Sequence, residues 1–501
     1  MRGTLAQLVD AIPGARLVGV DAPFAGVSLD SRKVEAGALF VALIGETFDA
    51  HDFLDQVAAR AVAAVVVSRV PDGWTLPAIV VPDTLVALGR IAHAWRAQFD
   101  IPLIGVTGSN GKTTVKEMIA SILAAAVGEE ARLATQGNLN NEIGVPLTLF
   151  RLAQQHRAAV VELGMNHPGE IGRLSAIATP TVGLVNNAQR EHQEFMHTVE
   201  AVARENGSVF AALPADGVAV FPGDDTYTDL WRGMAACDVL TFGLTDECDV
   251  RASYTADGFG SHLHVSTSFP DERRTRRESK FDAPLTADDV IATPANLDSR
   301  RVRRSSGNDG STDSGENSFE VTLAAAGEHN VRNALAAIAC ALGAGIDQEA
   351  IVRGLEAFAP VGGRLQRKQA ANGATVIDDT YNANPDSMRA AIDVLAAYPA
   401  PRILVVGDMG EVGAQGKEFH EEIGAYAQER GIETVLATGA LARHLAALGA
   451  RHFEQFDELL AALDEKLGGN TEATVLVKGS RFMKMERVVQ HLTGSTNKDV
   501  H

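Results

Sequence analysis

Short apolar runs alternate with amphipathic stretches along most of this chain. The runs of strand length are residues 37–43, 63–67, 158–163, 181–185, 374–377, 402–406, 434–437 and 474–477. Apolar residues recur with helical spacing in stretches such as 5–12 and 85–99. This alternation predicts an α/β fold, in which helices cover parallel sheets and ligands bind at the carboxyl ends of the strands.

The length of the chain divides this pattern into three domains. A chain of 501 residues is too long for one hydrophobic core, and Pro82–Asp83 marks an exit from the first unit. We expect a small N-terminal α/β domain over residues 1–85 and a central domain with a parallel sheet over 86–345. A Rossmann-like domain with an open sheet is expected over 346–501.

Residues 271–318 interrupt the alternation. They hold 9 Lys/Arg and 10 Asp/Glu and lie between apolar runs at 262–265 and 319–323. We expect a solvated, disordered insertion in a hairpin between two strands. The alternative is a basic docking site at 273–277 and 300–304, but the interleaved acids nearly cancel its charge.

The glycine loop, residues 105–114, gives the clearest sign of chemistry. It lies between an apolar run at 101–104 and an amphipathic segment at 115–126. Strand, loop and helix in this order wrap backbone N–H groups around phosphates. Lys112 would reach the terminal phosphates of ATP or GTP, and Thr113 would offer its hydroxyl to Mg²⁺. The predicted nucleotide-binding residues are Gly108, Ser109, Asn110, Gly111, Lys112, Thr113 and Thr114.

This loop departs from the standard P-loop at one position. That pattern asks for glycine five residues before Gly111, where this chain has Val106. An incidental glycine turn is the alternative interpretation. The loop alone does not say what a bound nucleotide would be used for.

Two residues that follow predicted strands could hold a metal ion beside the loop. Glu162 ends an apolar run, and a buried carboxylate needs a partner such as Mg²⁺. The alternative for Glu162 is an N-cap or a salt bridge for the next helix. His192 follows the run at 181–185, but a lone histidine is more often structural and imidazole is not a favoured Mg²⁺ ligand.

Five further polar clusters could bind substrates, and four of them have an evident structural alternative. The amides of Asn138–Asn141 could bind a polar substrate or form turns. His329–Asn333 could contact a nucleotide base or cap a helix. The cations in Gly363–Arg364 and Lys478–Arg481 could recognise phosphate or carboxylate, although surface solvation is usual. Asp378–Pro385 places acids and amides at the binding end of a predicted sheet.

Charge and cysteine content narrow the class of protein. The net charge of −20 argues against partners that are polyanions, so we expect no nucleic-acid partner and no membrane binding. The three cysteines form no CxxC pair, which fits a reducing cytoplasm. The first 30 residues lack the pattern of a signal peptide, and no apolar run reaches the roughly 18 residues of a membrane span.

Together these segments resemble the Mur ligase family of bacterial cell-wall synthesis over nearly the whole chain except 271–318. The loop form Thr107–Thr114 is the family's own, which accounts for Val106. Residues 137–146, 379–388 and 406–413 resemble members that add a D-alanyl dipeptide to a UDP-linked muramyl tripeptide. Residues 28–32 and 45–51 resemble the UDP-sugar-binding segment, with Ala50 where the family has glycine.

The resemblance implies an ATP- and Mg²⁺-dependent ligase that works as a cytoplasmic monomer. Its substrates would be UDP-N-acetylmuramoyl-tripeptide and D-alanyl-D-alanine, joined through an acyl phosphate. The implied catalytic residues are Lys112, Glu162, His192 and Arg364, and the implied Mg²⁺ ligands are Thr113, Glu162 and His192. Three implied ATP contacts are Asn330 near the adenine, Arg364 at the phosphates and Asp379 from the third domain. The implied substrate-binding residues are Ser31, Arg32, Asn138, Asn140, Asn141, Asn382, Asn384, Lys478, Ser480 and Arg481.

One position departs from the family pattern. Many members carry a lysine that is carbamylated to hold a second Mg²⁺, and here Asn206 stands in its place. Either Asn206 or the neighbouring Glu205 could compensate. Two rivals also stay open: a folylpolyglutamate synthase, which shares the architecture, and a nucleotide-regulated binding protein without ligase activity.

Overall fold

The computed structural model describes residues 1–257, 259–268 and 317–494. In this part of the chain the strands form three main sheets, each belonging to an α/β unit. We call these the N-terminal, central and third units. No helix within the described ranges is both long and apolar enough to cross a membrane.

The N-terminal unit is built on a five-stranded sheet. Its elements are β1 (Arg2–Thr4), α1 (Leu5–Ala11), β2 (Arg16–Val18), β3 (Pro23–Ala25), β4 (Val27–Ser28), β5 (Leu39–Val41), α2 (Leu54–Ala58), β6 (Ala64–Val67), β7 (Ala78–Val80) and α3 (Thr84–Arg96). The strand order is β2-β7-β6-β5-β4, with β2 antiparallel and the others parallel. Strands β1 and β3 pair as a separate antiparallel ribbon.

The central unit carries a nine-stranded sheet. Its elements are β8 (Leu103–Thr107), α4 (Lys112–Val127), β9 (Arg132–Ala134), α5 (Gly144–Leu149), β10 (Ala158–Glu162), α6 (Glu170–Ala178), β11 (Val182–Val185), α7 (Gln193–Met196), α8 (Val199–Gly207), β12 (Val218–Pro222), α9 (Thr228–Met234), β13 (Asp238–Gly243), β14 (Val250–Asp257), β15 (Gly260–Thr267), β16 (Asn317–Leu323), α10 (Glu328–Ala344) and α11 (Gln348–Glu356). The order is β16-β15-β14-β13-β12-β11-β8-β10-β9. Strands β8 to β14 are parallel, and β15 and β16 continue the sheet in antiparallel fashion.

The predicted hairpin flanks pair as expected. Strands β15 and β16 are antiparallel, with Val265 opposite Phe319. The predicted insertion 271–318 is two residues too long at its end, because Asn317 and Ser318 belong to β16. Its residues 271–316 lie outside the described residues, and so does the predicted disorder.

Helix α3 joins the first two units through a shared core. Buried apolar residues of the N-terminal sheet, such as Val66 and Ile79, belong to the same cluster as Leu88 of α3 and Val161 of β10. On the opposite face of the central sheet, α4 and α10 pack over a second core. Because α3 contacts both units, a boundary near residue 85 stays a prediction.

The third unit is an open sheet with helices on both faces. Its elements are β17 (Gln366–Gln369), β18 (Thr375–Asp379), α12 (Pro385–Ala396), β19 (Arg402–Val406), α13 (Gly416–Glu429), β20 (Thr434–Thr438), β21 (Arg451–Phe453), α14 (Phe456–Leu467), β22 (Thr474–Lys478) and α15 (Glu486–Thr493). The order is β17-β18-β22-β19-β20-β21, and all except the edge strand β17 run parallel. Helices α12 and α13 cover one core of this sheet, and α14 and α15 cover the other.

Candidate active site

A cavity of about 880 Å³ lies between the central and third units, at the carboxyl ends of both parallel sheets. The predicted site residues that line it are Ser109, Asn110, Gly111, Lys112, Thr113, Thr114, Asn138, Asn140, Asn141, Glu162, His192, Asn330, Arg364, Asp379, Asn382, Asn384, Lys478 and Arg481. Predicted residues outside this lining are Gly108, Ser480, Ser31 and Arg32. We call its two sides the central wall, from the loops after β8, β9, β10 and β11, and the third wall, from Arg364 and the loops after β18, β19 and β22.

The glycine loop turns into helix α4 at a position where no side chain fits. Gly111 has φ 81°, and a Cβ there would collide with Asn333 Oδ1 and lie 2.7 Å from Asn186 Nδ2. Val106 is not part of the turn, because it is a buried residue of β8. The departure from the standard pattern therefore lies in the strand, and the turn spans Gly108 to Gly111.

The β11 loop, residues 186–192, braces the glycine loop. The Asn110 backbone N–H donates to Asn187 Oδ1 at 2.9 Å, and Asn110 Nδ2 donates to Gln189 Oε1 at 2.6 Å. In return, the Gln189 N–H donates to Ser109 Oγ at 2.8 Å. Lys112 Nζ lies 3.1 Å from Ser109 O and 3.4 Å from Glu191 Oε2. The ammonium group thus stands over the turn that would hold phosphates.

Glu162 is a buried carboxylate with one oxygen engaged. It is 2% exposed at the end of β10, and its Oε1 accepts from Asn140 Nδ2 at 2.8 Å. Gly164 makes room for this contact, because a Cβ there would lie 2.8 Å from Asn140 Cγ. The other oxygen, Glu162 Oε2, is buried without a hydrogen-bond partner. A buried anionic oxygen in this state is suited to a cation.

His192 contacts acids of both walls. Its Nδ1 is 2.7 Å from Glu411 Oε2 of the third unit, and its Nε2 is 3.8 Å from Glu191 Oε2. Hydrogen bonding to His192 lowers the pKa of Glu411 below the usual glutamate range. Whether His192 also binds a metal stays a prediction.

Arg364 reaches from the third unit to the glycine loop. Its Nη2 donates to Thr113 Oγ1 at 2.9 Å, and its guanidinium lies 4.1 Å from the centroid of the Tyr381 ring. A planar cation stacked on an aromatic ring is pre-oriented. Arg364 is therefore placed beside the residue predicted to bind Mg²⁺.

Lys478 and Asp379 form a buried ion pair in the third wall. Lys478 Nζ is 2.6 Å from Asp379 Oδ2 and donates to Asn382 O at 2.9 Å. The other oxygen, Asp379 Oδ1, accepts from the Leu365 N–H at 3.2 Å. Asp379 thus anchors the residue after Arg364 as well as Lys478, and its predicted contact with ATP stays a prediction.

The remaining predicted residues of the third unit tie loops together. Ser480 Oγ accepts from the Gly410 N–H and donates to Ala383 O at 3.1 Å. Asn384 caps α12 by accepting from the Ser387 N–H at 2.8 Å. Its Nδ2 also donates to Asn110 Oδ1 at 2.9 Å, across the cavity.

Helix α10 carries Asn330, the residue predicted to lie near the adenine of ATP. Asn330 is buried and donates from Nδ2 to Ala326 O at 2.8 Å. His329 borders the cavity but is largely surrounded by protein, and this desolvation lowers its pKa to about 4. The imidazole is therefore neutral near pH 7.

The predicted UDP-sugar segment stands apart from the cavity. Arg32 forks onto Asp30, with Nε to Oδ1 at 2.9 Å and Nη2 to Oδ2 at 3.0 Å. This hydrogen bonding lowers the pKa of Asp30 to about 2. His51 of the same unit lies 2.6 Å from Asp49 Oδ1 through Nδ1 and accepts from the Ser68 N–H at 2.9 Å.

Asn206 and Glu205 are both engaged in bracing the backbone. Asn206 Oδ1 accepts from the Gly108 N–H of the glycine loop at 2.9 Å. Glu205 accepts from the N–H groups of Gly169 and Ile171, at 2.8 and 2.9 Å, at the start of α6. Each of the two side chains therefore already accepts hydrogen bonds from backbone N–H groups. Whether either also binds a second Mg²⁺ stays a prediction.

Sequence reasoning missed two charged residues of the β11 loop, Arg190 and Glu191. Arg190 of the β11 loop binds Asp386 and Glu422 of the third unit, and Glu191 lies beside Lys112. The one signal in the sequence was the polar character of residues 186–192 directly after a strand. It could suggest a binding loop but not its partners.

Three family models match the chain. They are described as the Mur ligase family catalytic domain, at residues 23–96, the Mur ligase middle domain, at 106–291, and the Mur ligase, glutamate ligase domain, at 363–481. A relative from Escherichia coli strain K12, named UDP-N-acetylmuramoyl-tripeptide–D-alanyl-D-alanine ligase, is 37% identical over 492 residues and aligns over 98% of each chain. The chain belongs to the Mur ligase family.

Other Mur ligases agree with this assignment. A protein of the same name from Bacillus subtilis is 33% identical, over 94% of this chain and 93% of its own. The crystal structure of MurF from Acinetobacter baumannii superposes with a TM-score of 0.83 at 32% identity, over 99% of each chain. MurF from Thermotoga maritima, solved in complex with ADP, shares the fold with a TM-score of 0.76 at 24% identity. The predicted three-domain α/β class is therefore confirmed.

Proposed function

We propose that this Mur ligase joins D-alanyl-D-alanine to UDP-N-acetylmuramoyl-tripeptide with the consumption of ATP, in the synthesis of the peptidoglycan precursor. The observation that supports it most is the pairing of two half-sites across one cavity. A glycine loop with Lys112 faces the cations Arg364 and Lys478 of the third wall. Full-length relatives from two organisms carry the name of this ligase.

The reaction would proceed in two steps. A terminal carboxylate oxygen of the tripeptide attacks the γ-phosphorus of ATP, and the bond from that phosphorus to ADP breaks. The amine of D-alanyl-D-alanine then attacks the carbonyl carbon of the acyl phosphate. Phosphate leaves, the amine gives up a proton, and an amide bond remains. Phosphorylation is needed because a free carboxylate is a poor acceptor for an amine.

The protein would contribute position and charge to both steps. Backbone N–H groups of the glycine loop and Lys112 hold the β- and γ-phosphates, and Arg364 faces the charge that develops during phosphoryl transfer. The two walls together keep water from the acyl phosphate. No covalent protein intermediate is required, so catalysis rests on alignment.

The residues present fit a Mg²⁺ ion. The buried Glu162 Oε2 lacks a hydrogen-bond partner, and the Thr113 hydroxyl lies at the start of α4. No group of three or more His, Cys, Asp or Glu suited to a metal is found in the described part of the chain. That suits Mg²⁺, which is commonly held by one or two carboxylates together with phosphates and waters. Bound there with His192 nearby, it would neutralise phosphate charge.

We further infer that the enzyme acts in the cytoplasm as a monomer. The cavity is built from one chain, with both walls contributed by its own central and third units. The net charge of −20 fits a role away from nucleic acid and membrane surfaces, and three cysteines without a CxxC pair fit a reducing cytoplasm.

Substrate-dependent phosphate release tests the proposal. Purified protein is supplied with ATP and Mg²⁺ and with neither, either or both of the UDP-tripeptide and D-alanyl-D-alanine, and phosphate and UDP-pentapeptide are both measured. We expect release and product formation only when both substrates are present. Comparing tripeptides that end in meso-diaminopimelate and in L-lysine would identify the third residue.

Two results would contradict this function. ATP hydrolysis that ignores both substrates would favour a nucleotide-regulated binding protein. Ligation of glutamate to a folate would favour the folylpolyglutamate synthase alternative; a solved synthase from Mycobacterium tuberculosis shares the fold with a TM-score of 0.57 at 17% identity.

A further inference from the structure

We propose that Arg190 is a positioning residue that holds the third unit closed over the nucleotide site. The proposal rests on the proposed function and deepens it, because it names what keeps Arg364 and Lys478 facing the glycine loop. Arg190 itself has no place in the bond-making chemistry described above.

Arg190 binds two acids of the third unit at once. Its Nη2 is 2.6 Å from Asp386 Oδ1, and its backbone N–H donates to Asp386 Oδ2 at 2.8 Å. On the other side, Nη1 is 2.7 Å from Glu422 Oε2 and Nη2 is 3.0 Å from Glu422 Oε1. The guanidinium also lies 5.4 Å from the centroid of the Phe419 ring. Bidentate contacts of this kind fix orientation as well as distance.

The two acids lie on different helices, so Arg190 contacts the third unit at two separate points. Asp386 lies in the first turn of α12, and Glu422 lies within α13. Arg389 of α12 also approaches Glu422, at 3.3 Å, and its guanidinium lies 3.9 Å from the Tyr426 ring centroid. Helices α12 and α13 pack on one core of the third sheet. Arg190 therefore binds two helices that are fixed to each other and to the sheet.

The loop that carries Arg190 also contacts the glycine loop. Arg190 follows Asn187 and Gln189, which bind the backbone and side chain of Asn110. The β11 loop is thus bonded to the phosphate-binding turn on one side and to the third unit on the other. A shift of the third unit that opens the cavity would break the Arg190 contacts, whereas the bonds between the β11 loop and the glycine loop lie within the central unit and would remain.

Asp386 and Glu422 are the natural partners for a double-mutant cycle. We compare wild type, Arg190→Gln, the pair Asp386→Asn with Glu422→Gln, and the combination of all three changes. Each is studied as the full chain with a non-hydrolysable ATP analogue and the UDP-tripeptide. Small-angle scattering gives the radius of gyration, and coupled assays give kcat and KM.

We expect Arg190→Gln to expand the liganded enzyme and to lower kcat by on the order of 10-fold, less than the loss typical of fully buried charge pairs, because Arg190 and its two acids are partly exposed. The acid pair should give the same effect, and the combination should add little, because both changes break one contact. ADP affinity, measured by calorimetry, should stay within about twofold of wild type, because the phosphate-binding turn is held by bonds within the central unit.

The matched control is Arg430→Gln. Arg430 pairs with Asp393 at 2.8 Å inside the third unit, so its loss removes a more exposed ion pair of the same types that does not cross the cavity. It should leave the radius of gyration and kcat unchanged. Thermal melting of each variant distinguishes a local effect from failure to fold, and a variant with a wild-type melting temperature is required for the comparison.

Several results would overturn the proposal. Wild-type compaction and kcat in Arg190→Gln would remove its role. A lower kcat with wild-type compaction would place Arg190 in the chemistry, and a tenfold loss of ADP affinity would place it in nucleotide binding. If Arg190→Gln does not fold, the Asp386→Asn and Glu422→Gln pair decides by the same readouts. If the wild type shows no ligation, the proposed function fails, while the scattering comparison still tests the closure.

Discussion

The two walls of the cavity are held in place by different means. In the central wall, the glycine loop is fixed by the β11 loop and by Asn206, all within one unit. In the third wall, Lys478 is fixed by Asp379 inside its own unit, but its place opposite the phosphates depends on contacts that cross the cavity. The first wall is therefore complete by itself, and the second is complete only when docked.

This difference separates nucleotide binding from turnover. A site for phosphates needs backbone N–H groups in a fixed turn, which the central wall provides alone. Transfer of a phosphoryl group to a carboxylate needs opposed charges at a set distance, which only the assembled cavity provides. Changes in the central wall should thus affect both binding and chemistry, and changes in the third wall should affect chemistry alone.

Loss of the glycine-loop cation should have the largest effect. Lys112→Ala removes the ammonium that stands over Ser109 O and Glu191. We expect ligation to fall by about 10³-fold or more, since such groups stabilise transition-state charge directly. UDP-tripeptide binding, measured by calorimetry, should persist. Retained turnover would show that the loop is not the phosphate site.

Loss of the Glu162 charge should come next. Glu162→Gln keeps the size of the side chain and can still accept from Asn140 Nδ2. We expect kcat to fall by about 10²-fold, with a higher Mg²⁺ requirement, because one anionic ligand is lost. Binding of Mn²⁺ followed by electron paramagnetic resonance gives a readout independent of turnover.

The natural control for this change is the metal itself. Removal of divalent ions with a chelator should stop wild-type ligation, and added Mg²⁺ should restore it. Wild-type Mn²⁺ affinity in Glu162→Gln would assign the metal to other residues, and the orphaned carboxylate oxygen would then need a different explanation.

Arg364→Lys tests the third wall with the charge retained. Lysine cannot stack on Tyr381 and reach Thr113 as a planar fork does. We expect kcat to fall by about 10-fold while the KM for ATP stays near wild type, the pattern of an interaction made in the transition state. Arg367→Lys, at an exposed position of β17, is the matched control. If Arg364→Lys weakened ATP binding as much as it lowered kcat, the third wall would contribute to nucleotide binding as the central wall does.

The smallest effect is expected in the N-terminal unit, outside both walls. Arg32→Ala should raise the KM for the UDP-tripeptide by about fivefold with kcat nearly unchanged, as for uniform binding. The neighbouring exposed Lys33→Ala serves as control. An unchanged KM would show that the nucleotide-sugar end of the substrate is bound elsewhere.

The elements and the site's location could be predicted, whereas its bonding could not. Strand-like runs such as 402–406 and 474–477 were correctly identified because buried parallel strands are continuous apolar segments. The glycine loop was evident because an apolar strand, a turn with Gly111 and Lys112, and a helix follow one another directly in the sequence. Both predictions depend on residues that are close in sequence.

The pairing of side chains depends on residues far apart in the chain. Asn140 donates to Glu162, a pairing that the sequence did not predict, because spacing predicts that two loops meet at a sheet end but not which atoms bond. Its predicted contact with substrate stays a prediction. Arg190 escaped prediction for the same reason. Its partners lie 196 and 232 residues away, on helices of another unit.

The core shared by the N-terminal and central units has a consequence for how the molecule melts. Because Val66, Leu88 and Val161 belong to one apolar cluster, neither unit can unfold without exposing the other's interior. The third unit has two further cores, one of which also includes Ala326 of the central unit. Heating should therefore disrupt the protein as two cooperative blocks, and a nucleotide that bridges the cavity should draw the two melting transitions together.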